Sequence, residues 1–300
     1  MEFLRESIVY LLHSGMYYRL HVQNIAFNQT FKQKGPKQKT LHSSTSLIEG
    51  SEINEANPAQ FELELLMMDE SSIYQHKALE LALKNTNDTL STFDLFIDVS
   101  KATDSPRTMY KLDTCVFEAV SFQIVRGQPI VMALEGTASK LTTVAHSNIS
   151  TGSFDTTPTY STPKVTIVTV DGTVLDHVTG VNLEIQNNIE WTKNNTLQDS
   201  LFVTNSSGTT YPSTFTLKSR SVAGNITTYV GDSHPDLQTW KENIGVRIQA
   251  GLAANNTQID ANLTPCSFTN RVNPTEVFTQ GYDFRMIGHP TDLNSLFTYN

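Results

Sequence analysis

Val181-Asn182-Leu183-Glu184-Ile185-Gln186-Asn187-Asn188-Ile189-Glu190-Trp191 alternates apolar and polar residues at period two. Val181, Leu183, Ile185, Ile189 and Trp191 share one side, and Asn187 is its single polar intruder. Asn182, Glu184, Gln186, Asn188 and Glu190 share the other. Successive side chains of a strand point to opposite faces, so this pattern predicts a strand with one face on a core and the other in water. Strands usually run to about 5–6 residues, so this one is long. Residues 22–31 carry a similar run in the first half of the chain, anchored by Val22, Ile25 and Phe27.

The rest of the composition fits this opening. Three hundred residues are enough for one large domain or two ordinary ones. Only 17% of residues are charged, and Thr, Ser, Asn and β-branched residues are abundant, which favours β structure. A net charge of −9 counts against a protein that holds nucleic acid by neutralising phosphates. The two cysteines, Cys115 and Cys266, stand outside any metal-binding spacing and read as small buried hydrophobes. No apolar run approaches the ~20 residues of a membrane-spanning helix. The first 18 residues read as a strand rather than a signal peptide. The eight histidines are scattered, and no nucleophile-elbow, phosphate-loop or dinucleotide motif is present. No catalytic residue, cofactor or metal is therefore expected, and function should rest on surfaces.

Taken in order, the pattern predicts strands at 7–14, 61–65, 93–99, 165–170, 215–221 and 244–250. Hairpins are expected at 110–125 with 129–141, and at 266–278 with 282–288. Helices are expected at 71–84 and, more briefly, after Pro235, with Leu237 and Trp240 on one face. Ser14-Gly15 and Asp171-Gly172 are turn signals. Lys218 and Arg220 are expected on the wet face of the 215–221 strand, facing Glu184 or Glu190. Residues 32–60 form a polar loop. It opens on Lys32, Lys34, Lys37 and Lys39 and closes on Glu49, Glu52 and Glu55. That loop suits a solvated connection or a charged arm that docks on a neighbour. Residues 146–162, rich in Ser, Thr, Gly and Pro, read as a linker between domains 1–145 and 163–300.

The two halves repeat one order: strand, glycine turn, long strand, polar loop, strand, short helix, strand, closing hairpin. The period is about 151–157 residues. Cys115-Val116-Phe117 answers Cys266-Ser267-Phe268, Gly15 answers Gly172, and Gly136 answers Gly288. The fold class is thus mainly β with short helices. It comprises two tandem sandwich or half-barrel domains whose long strands have open edges for pairing with other copies.

The long-strand hairpins (22–31 with 61–66, and 181–191 with 215–221), the loop between them and the closing hairpin carry a resemblance. So do Phe122-Gln123-Ile124-Val125-Arg126-Gly127-Gln128-Pro129 and Phe278-Thr279-Gln280-Gly281-Tyr282-Asp283-Phe284. The order of elements resembles the tail tube proteins of tailed bacteriophages, over nearly the whole chain. The resemblance implies that long hairpins join an inner β-barrel around a DNA channel. It implies a virion protein that assembles in the host cytoplasm. With two tube domains per chain it implies trimeric rings of pseudo-sixfold symmetry, a hexamer being the alternative. The rings would stack on one another and meet tail terminator, baseplate or sheath proteins, while genomic DNA passes without specific binding. Glu62, Glu64, Asn182, Glu184, Gln186, Asn188 and Glu190 are then candidates for the channel wall. The 32–60 loop is a candidate inter-ring contact. The second half has a shorter loop without the lysine cluster, so docking there has less to work with. Two alternatives remain: a baseplate-proximal tube initiator of the same fold, and a β-sandwich adhesin or glycan-binding protein. The second needs exposed aromatics beside carboxylates, whereas Trp191 and Trp240 read as core residues.

Overall fold

The computed structural model describes residues 7–34, 37–38, 48–49, 53–69, 74–83, 85–86, 89–99, 108–125, 127–145, 159–160, 164–192, 209–230, 240–253, 256–273, 279–288, 293 and 296–299. Fifteen strands hydrogen-bond into one sheet. The first half contributes β1 (Ile8–His13), β2 (Met16–Leu20), β3 (Val22–Asn28), β4 (Ala59–Leu66), β5 (Phe93–Asp98), β6 (Thr108–Val125) and β7 (Val131–Ala145). The second contributes β8 (Val165–Val170), β9 (Thr173–Val174), β10 (Val178–Thr192), β11 (Thr214–Tyr229), β12 (Trp240–Ala253), β13 (Asn256–Asn273), β14 (Thr279–Met286) and β15 (Phe297–Tyr299). The protein is mainly β, and among the described residues its α-helix is α1 (Tyr74–Leu83).

Hydrogen bonding makes the duplication explicit. The first half pairs in the order β2–β1–β5–β6–β7–β4–β3. The second pairs as β9–β8–β12–β13–β14–β11–β10. Each strand of the first half has its counterpart seven strands on, and every one of these pairs is antiparallel. Local details repeat as well. Ser14 and Gly15 have φ of 50° and 79°, and Asp171 and Gly172 have 51° and 78°. Two consecutive positive φ values make a two-residue hairpin turn whose twist matches its strands. A bulge between Val22 and Asn24 in β3 recurs between Val178 and Gly180 in β10. A His-Val pair precedes both, His21-Val22 and His177-Val178. The Cys115 and Cys266 thiols lie buried and point to the carbonyls of Leu112 and Leu263, at 3.3 and 3.6 Å.

One expected correspondence fails. Gly136 pairs with Phe117, but Phe268 pairs with Phe284, so Phe284 and not Gly288 takes the place of Gly136. Gly288 lies beyond β14 with φ of 93°. Two glycines do match in role. A Cβ on Gly136 would collide with the Phe61 ring and the Val116 carbonyl; one on Gly224 would collide with the Phe284 ring and the Asn182 carbonyl. Phe61 lies opposite Gly136, and Phe284 opposite Gly224. Each half thus packs one phenylalanine over one glycine, with the two strands' roles exchanged. Sequence alignment of glycines misses this because it fixes neither strand nor partner.

Buried apolar side chains form one cluster that includes Leu63, Leu65, Phe117, Phe122 and Leu134 from the first half and Leu183, Ile185, Val222, Tyr282 and Phe284 from the second. The helix buries Ala78, Leu79, Leu81, Ala82 and Leu83 in it. Strand β6 joins the halves. Strand β7 runs along one edge of β6. On the other edge β5 pairs with 109–115, and β10 then takes over from Ala119 to Val125.

The polar intruder Asn187 sits beside this junction, 2% exposed. Its amide donates to the carbonyls of Phe117 at 3.0 Å and Ala82 at 3.2 Å, and its oxygen accepts from Arg220 Nε at 2.7 Å. Arg220 Nη2 donates to the carbonyls of Ala82 and Leu83 at 3.0 and 2.8 Å. Two side chains of the second half therefore satisfy the C-terminal carbonyls of the first half's helix, where a cation also suits the helix dipole. This corrects the expected place of Arg220. It is 4% exposed, on the core side. The register between β10 and β11 shifts at Asn188/Ile189, because Lys218 and Ser219 both turn outward and Arg220 is thrown to the opposite face.

The expected helix after Pro235 lies outside the described residues, apart from Trp240, which begins β12. Within the expected linker, Thr159–Tyr160 pairs with Met68–Asp69 and the rest is outside the described residues.

Candidate functional site

Between its bulges the long-strand region alternates, so one face of the joined sheet is core and the other carries polar side chains and small alanines. The registers can be followed from strand to strand. One line runs Asn24–Glu64–Ala133–Ser121–Glu184–Ala223–Arg285 across β3, β4, β7, β6, β10, β11 and β14. The neighbouring line runs Ala26–Glu62–Glu135–Ala119–Gln186–Ser221. At about 4.8 Å per strand the face is on the order of 30 Å wide. Glu62, Glu64, Asn182 and Gln186 are exposed on it, and Glu184 is half-buried, receiving a hydrogen bond from Gln186 Nε2 at 2.6 Å.

Five of the seven expected wall residues therefore share one continuous surface although they come from two halves of the chain. Asn188 and Glu190 are also exposed, but on the arm of β10 that continues past the β6 junction. There Lys218 Nζ lies 2.9 Å from Glu190, as the alternation predicted. The end of that arm rests on the first half. Trp191, half-buried, donates from Nε1 to Thr137 Oγ1 at 2.8 Å and packs on Phe215. Thr137 in turn donates to Glu118 at 2.7 Å. Burial pushes the Glu118 carboxyl above its ordinary pKa, with the Glu135 charge adding to the rise and the Thr137 bond opposing it.

Glu135, Ser121 and Gln123 belong to the same face and were not singled out from the sequence. The signal was present: Met132 and Leu134 alternate with Ala133 and Glu135, and Phe122 and Ile124 with Ser121 and Gln123. What the sequence lacked was the pairing of β6 with β10 that makes the two halves one surface.

The loop residues fold back on themselves. Phe31–Lys34 pairs with Ile53–Ala56, placing Lys32 opposite Glu55, and Lys37–Gln38 pairs with Ile48–Glu49, placing Lys37 opposite Glu49. Lys32 is exposed and Glu55 half-buried. Lys34 lies in the first of these strands, and Lys39 and Glu52 lie outside the described residues. Thr209–Thr210 of the second half's loop lies parallel beside Asn54–Glu55. Among the described residues no group of His, Cys, Asp and Glu is arranged to hold a metal, and no helix is long and apolar enough to cross a membrane.

A family model described as the Bacteriophage Baseplate Tube Protein Family matches residues 1–297. The chain belongs to that family. It is a structural tube or baseplate component of the phage virion, as the resemblance implied. A chain of the cryo-EM structure of the anti-feeding prophage (AFP) baseplate, 6-fold symmetrised, is similar over 46% of this chain and 91% of its own, at 12% identity and a TM-score of 0.33. No curated protein sequence matches the chain.

Proposed function

We propose that this baseplate tube family member builds the baseplate end of the tail tube, as rings whose polar sheet face lines the DNA channel. The observation that carries the reading is the six-strand face from β3 to β11, whose two lines hold Asn, Gln, Ser, Glu and Ala and no cation, the first cation being Arg285 on β14, with a continuous core behind it. Two such domains per chain make a trimer the ring that presents six of them. The wall acts by what it withholds. Cationic side chains would bind phosphates through counterion release and slow the DNA. Carboxylates and neutral amides leave it free to slide. The paired strands of the 32–60 loop and the Thr209–Thr210 strand form small sheets apart from the main one, suited to touching the next ring or a baseplate neighbour.

The test is Glu62→Lys, Glu64→Lys and Glu184→Lys together in phage particles. The expected result is particles with intact tails, seen by electron microscopy, whose DNA delivery falls at least tenfold. Unchanged delivery from particles with intact tails overturns the channel-wall assignment.

A further inference from the structure

Within the main sheet the chain joins its halves through one strand junction, and among the described residues the counterpart of that junction in the duplication is unmade. Strand β10 closes on β6 with Val120 opposite Ile185, Ser121 opposite Glu184 and Phe122 opposite Leu183. The counterpart of β10 is β3, and the counterpart of β6 is β13. Strand β3 pairs with β4 on one edge and, among the described residues, with no strand on the other. In β13, β12 covers one edge as far as Thr269, opposite Trp240. Asn270–Asn273 continues as strand, and among the described residues it is bound to β14 on its second edge only. Among the described residues, the open edges thus lie where the internal junction forms.

Burial follows the same logic. Leu183 on β10 is 1% exposed because β6 covers it; its counterpart Phe27 on β3 is only half-buried. Phe31, just past the open edge of β3, is 54% exposed. Open strand edges with apolar neighbours are templates for another strand.

We infer that the open edge of β3 receives the Asn270–Asn273 end of β13 from a second copy of this chain, in the register of the internal junction. The register can be written down. Phe61 opposite Gly136 corresponds to Gly224 opposite Phe284, and this pair of rows aligns Phe27 with Leu183. Strand β6 holds one extra residue, at its shift between Phe117 and Ala119, that β13 lacks. Ser121 therefore corresponds to Arg271 and Glu184 to Asn28. The intermolecular pairs are Arg271 with Asn28, and Val272 with Phe27. The contact is head-to-tail, each copy using β3 towards one neighbour and β13 towards the other, which is the geometry that closes rings. The inference rests on the ring reading above and adds the strand, edge and register.

Cysteines placed across an antiparallel pair are within disulfide reach. The test is Asn28→Cys with Arg271→Cys in the full-length chain, both at exposed positions, with Cys115 and Cys266 buried and inert. Ser121→Cys with Glu184→Cys is the internal control and should cross-link within one chain. Mild oxidation of the assembled Asn28/Arg271 variant should give a ladder of covalent multimers ending at the ring size. Each single variant should give none. Rings seen by microscopy with no Asn28–Arg271 cross-link, while the internal control cross-links, overturn the junction and leave the ring reading standing. Neither rings nor multimers, from a chain whose internal control cross-links, overturn both. A multimer ladder from Ala26→Cys with Arg271→Cys in place of the Asn28 pair overturns the register.

Discussion

The two halves share a backbone plan strand for strand but treat charge on their common face differently. In the first half Glu62 of β4 lies directly opposite Glu135 of β7, with Glu64 beside them. In the second half the corresponding strands hold Asn225 opposite Asp283. There Asn225 Nδ2 donates to Asp283 at 2.7 Å, and Arg271 lies 2.7 Å from the same carboxylate. Like charges directly opposite on a sheet cost stability, whereas the amide and cation remove that cost. The halves also differ in polar anchoring. The second half supplies Arg220 and Asn187, and the first half supplies the helix end they hold. Duplication thus kept the hydrogen-bond plan and freed the side chains to divide the work. One half carries the bare carboxylates and the helix. The other carries compensated charge and the clasp.

The clasp is where breaking the asymmetry should cost most. Arg220→Ala leaves the Leu83 carbonyl and the Asn187 amide oxygen without their buried donor, and leaves the Ala82 carbonyl only the longer bond from Asn187. Unsatisfied buried groups cost about 1–3 kcal/mol each, so the loss should be roughly 4 kcal/mol. Chemical denaturation should read it as a lower midpoint, and protease cleavage within α1 should accelerate. A midpoint within about 0.5 kcal/mol of wild type would mean the halves hold together without it.

The exchanged phenylalanine–glycine pairs come next. Gly136→Val and Gly224→Val each force a side chain into an aromatic ring and a backbone carbonyl. Overpacking of this kind costs about 1–3 kcal/mol, and the rigid carbonyl puts both near the upper end. Phe284→Ala should relieve part of the Gly224→Val loss and none of the Gly136→Val loss, a difference that calorimetry on the two double variants reads directly. Equal rescue of both would break the pairing assigned here.

The legible part of this fold was the part fixed by period two. The alternation at 181–191 gave β10 and both its faces, and the Ser14-Gly15 and Asp171-Gly172 turns gave the starts of both halves. Asn187 stood out as an intruder, yet nothing near it in sequence names its partners, Ala82 and Phe117, which are 105 and 70 residues away. Arg220 misled because alternation was carried through a position where Lys218 and Ser219 both face outward. A bulge reverses every later assignment on a strand and leaves no mark in composition. The outward placement of Glu62, Glu64, Asn182, Gln186, Asn188 and Glu190 was legible, since exposure on a strand is local. Their union into one face was not legible, because it depends on β6 accepting β10 across more than fifty residues of chain.

The smallest expected effect concerns the carboxylates of the first half themselves. Glu118 is half-buried, takes a hydrogen bond from Thr137 and feels the charge of Glu135. Burial first, and Glu135 second, raise its pKa in the folded state. A carboxyl whose folded pKa is raised binds more protons folded than unfolded, so stability falls as pH rises through that window. The fall begins near the ordinary glutamate value of about 4.3 and is complete above the raised folded value. Glu118→Gln should remove this slope and be more stable than wild type at neutral pH. Glu135→Gln should shrink the slope without abolishing it, because burial remains, and should add about 0.5 kcal/mol by ending its opposition to Glu62. Denaturation midpoints at several pH values above 4.3 decide the matter. A wild-type slope that survives Glu118→Gln would move the strained carboxylate elsewhere on the face. A slope that Glu135→Gln abolishes outright would make charge repulsion, and not burial, the source of the difference between the halves.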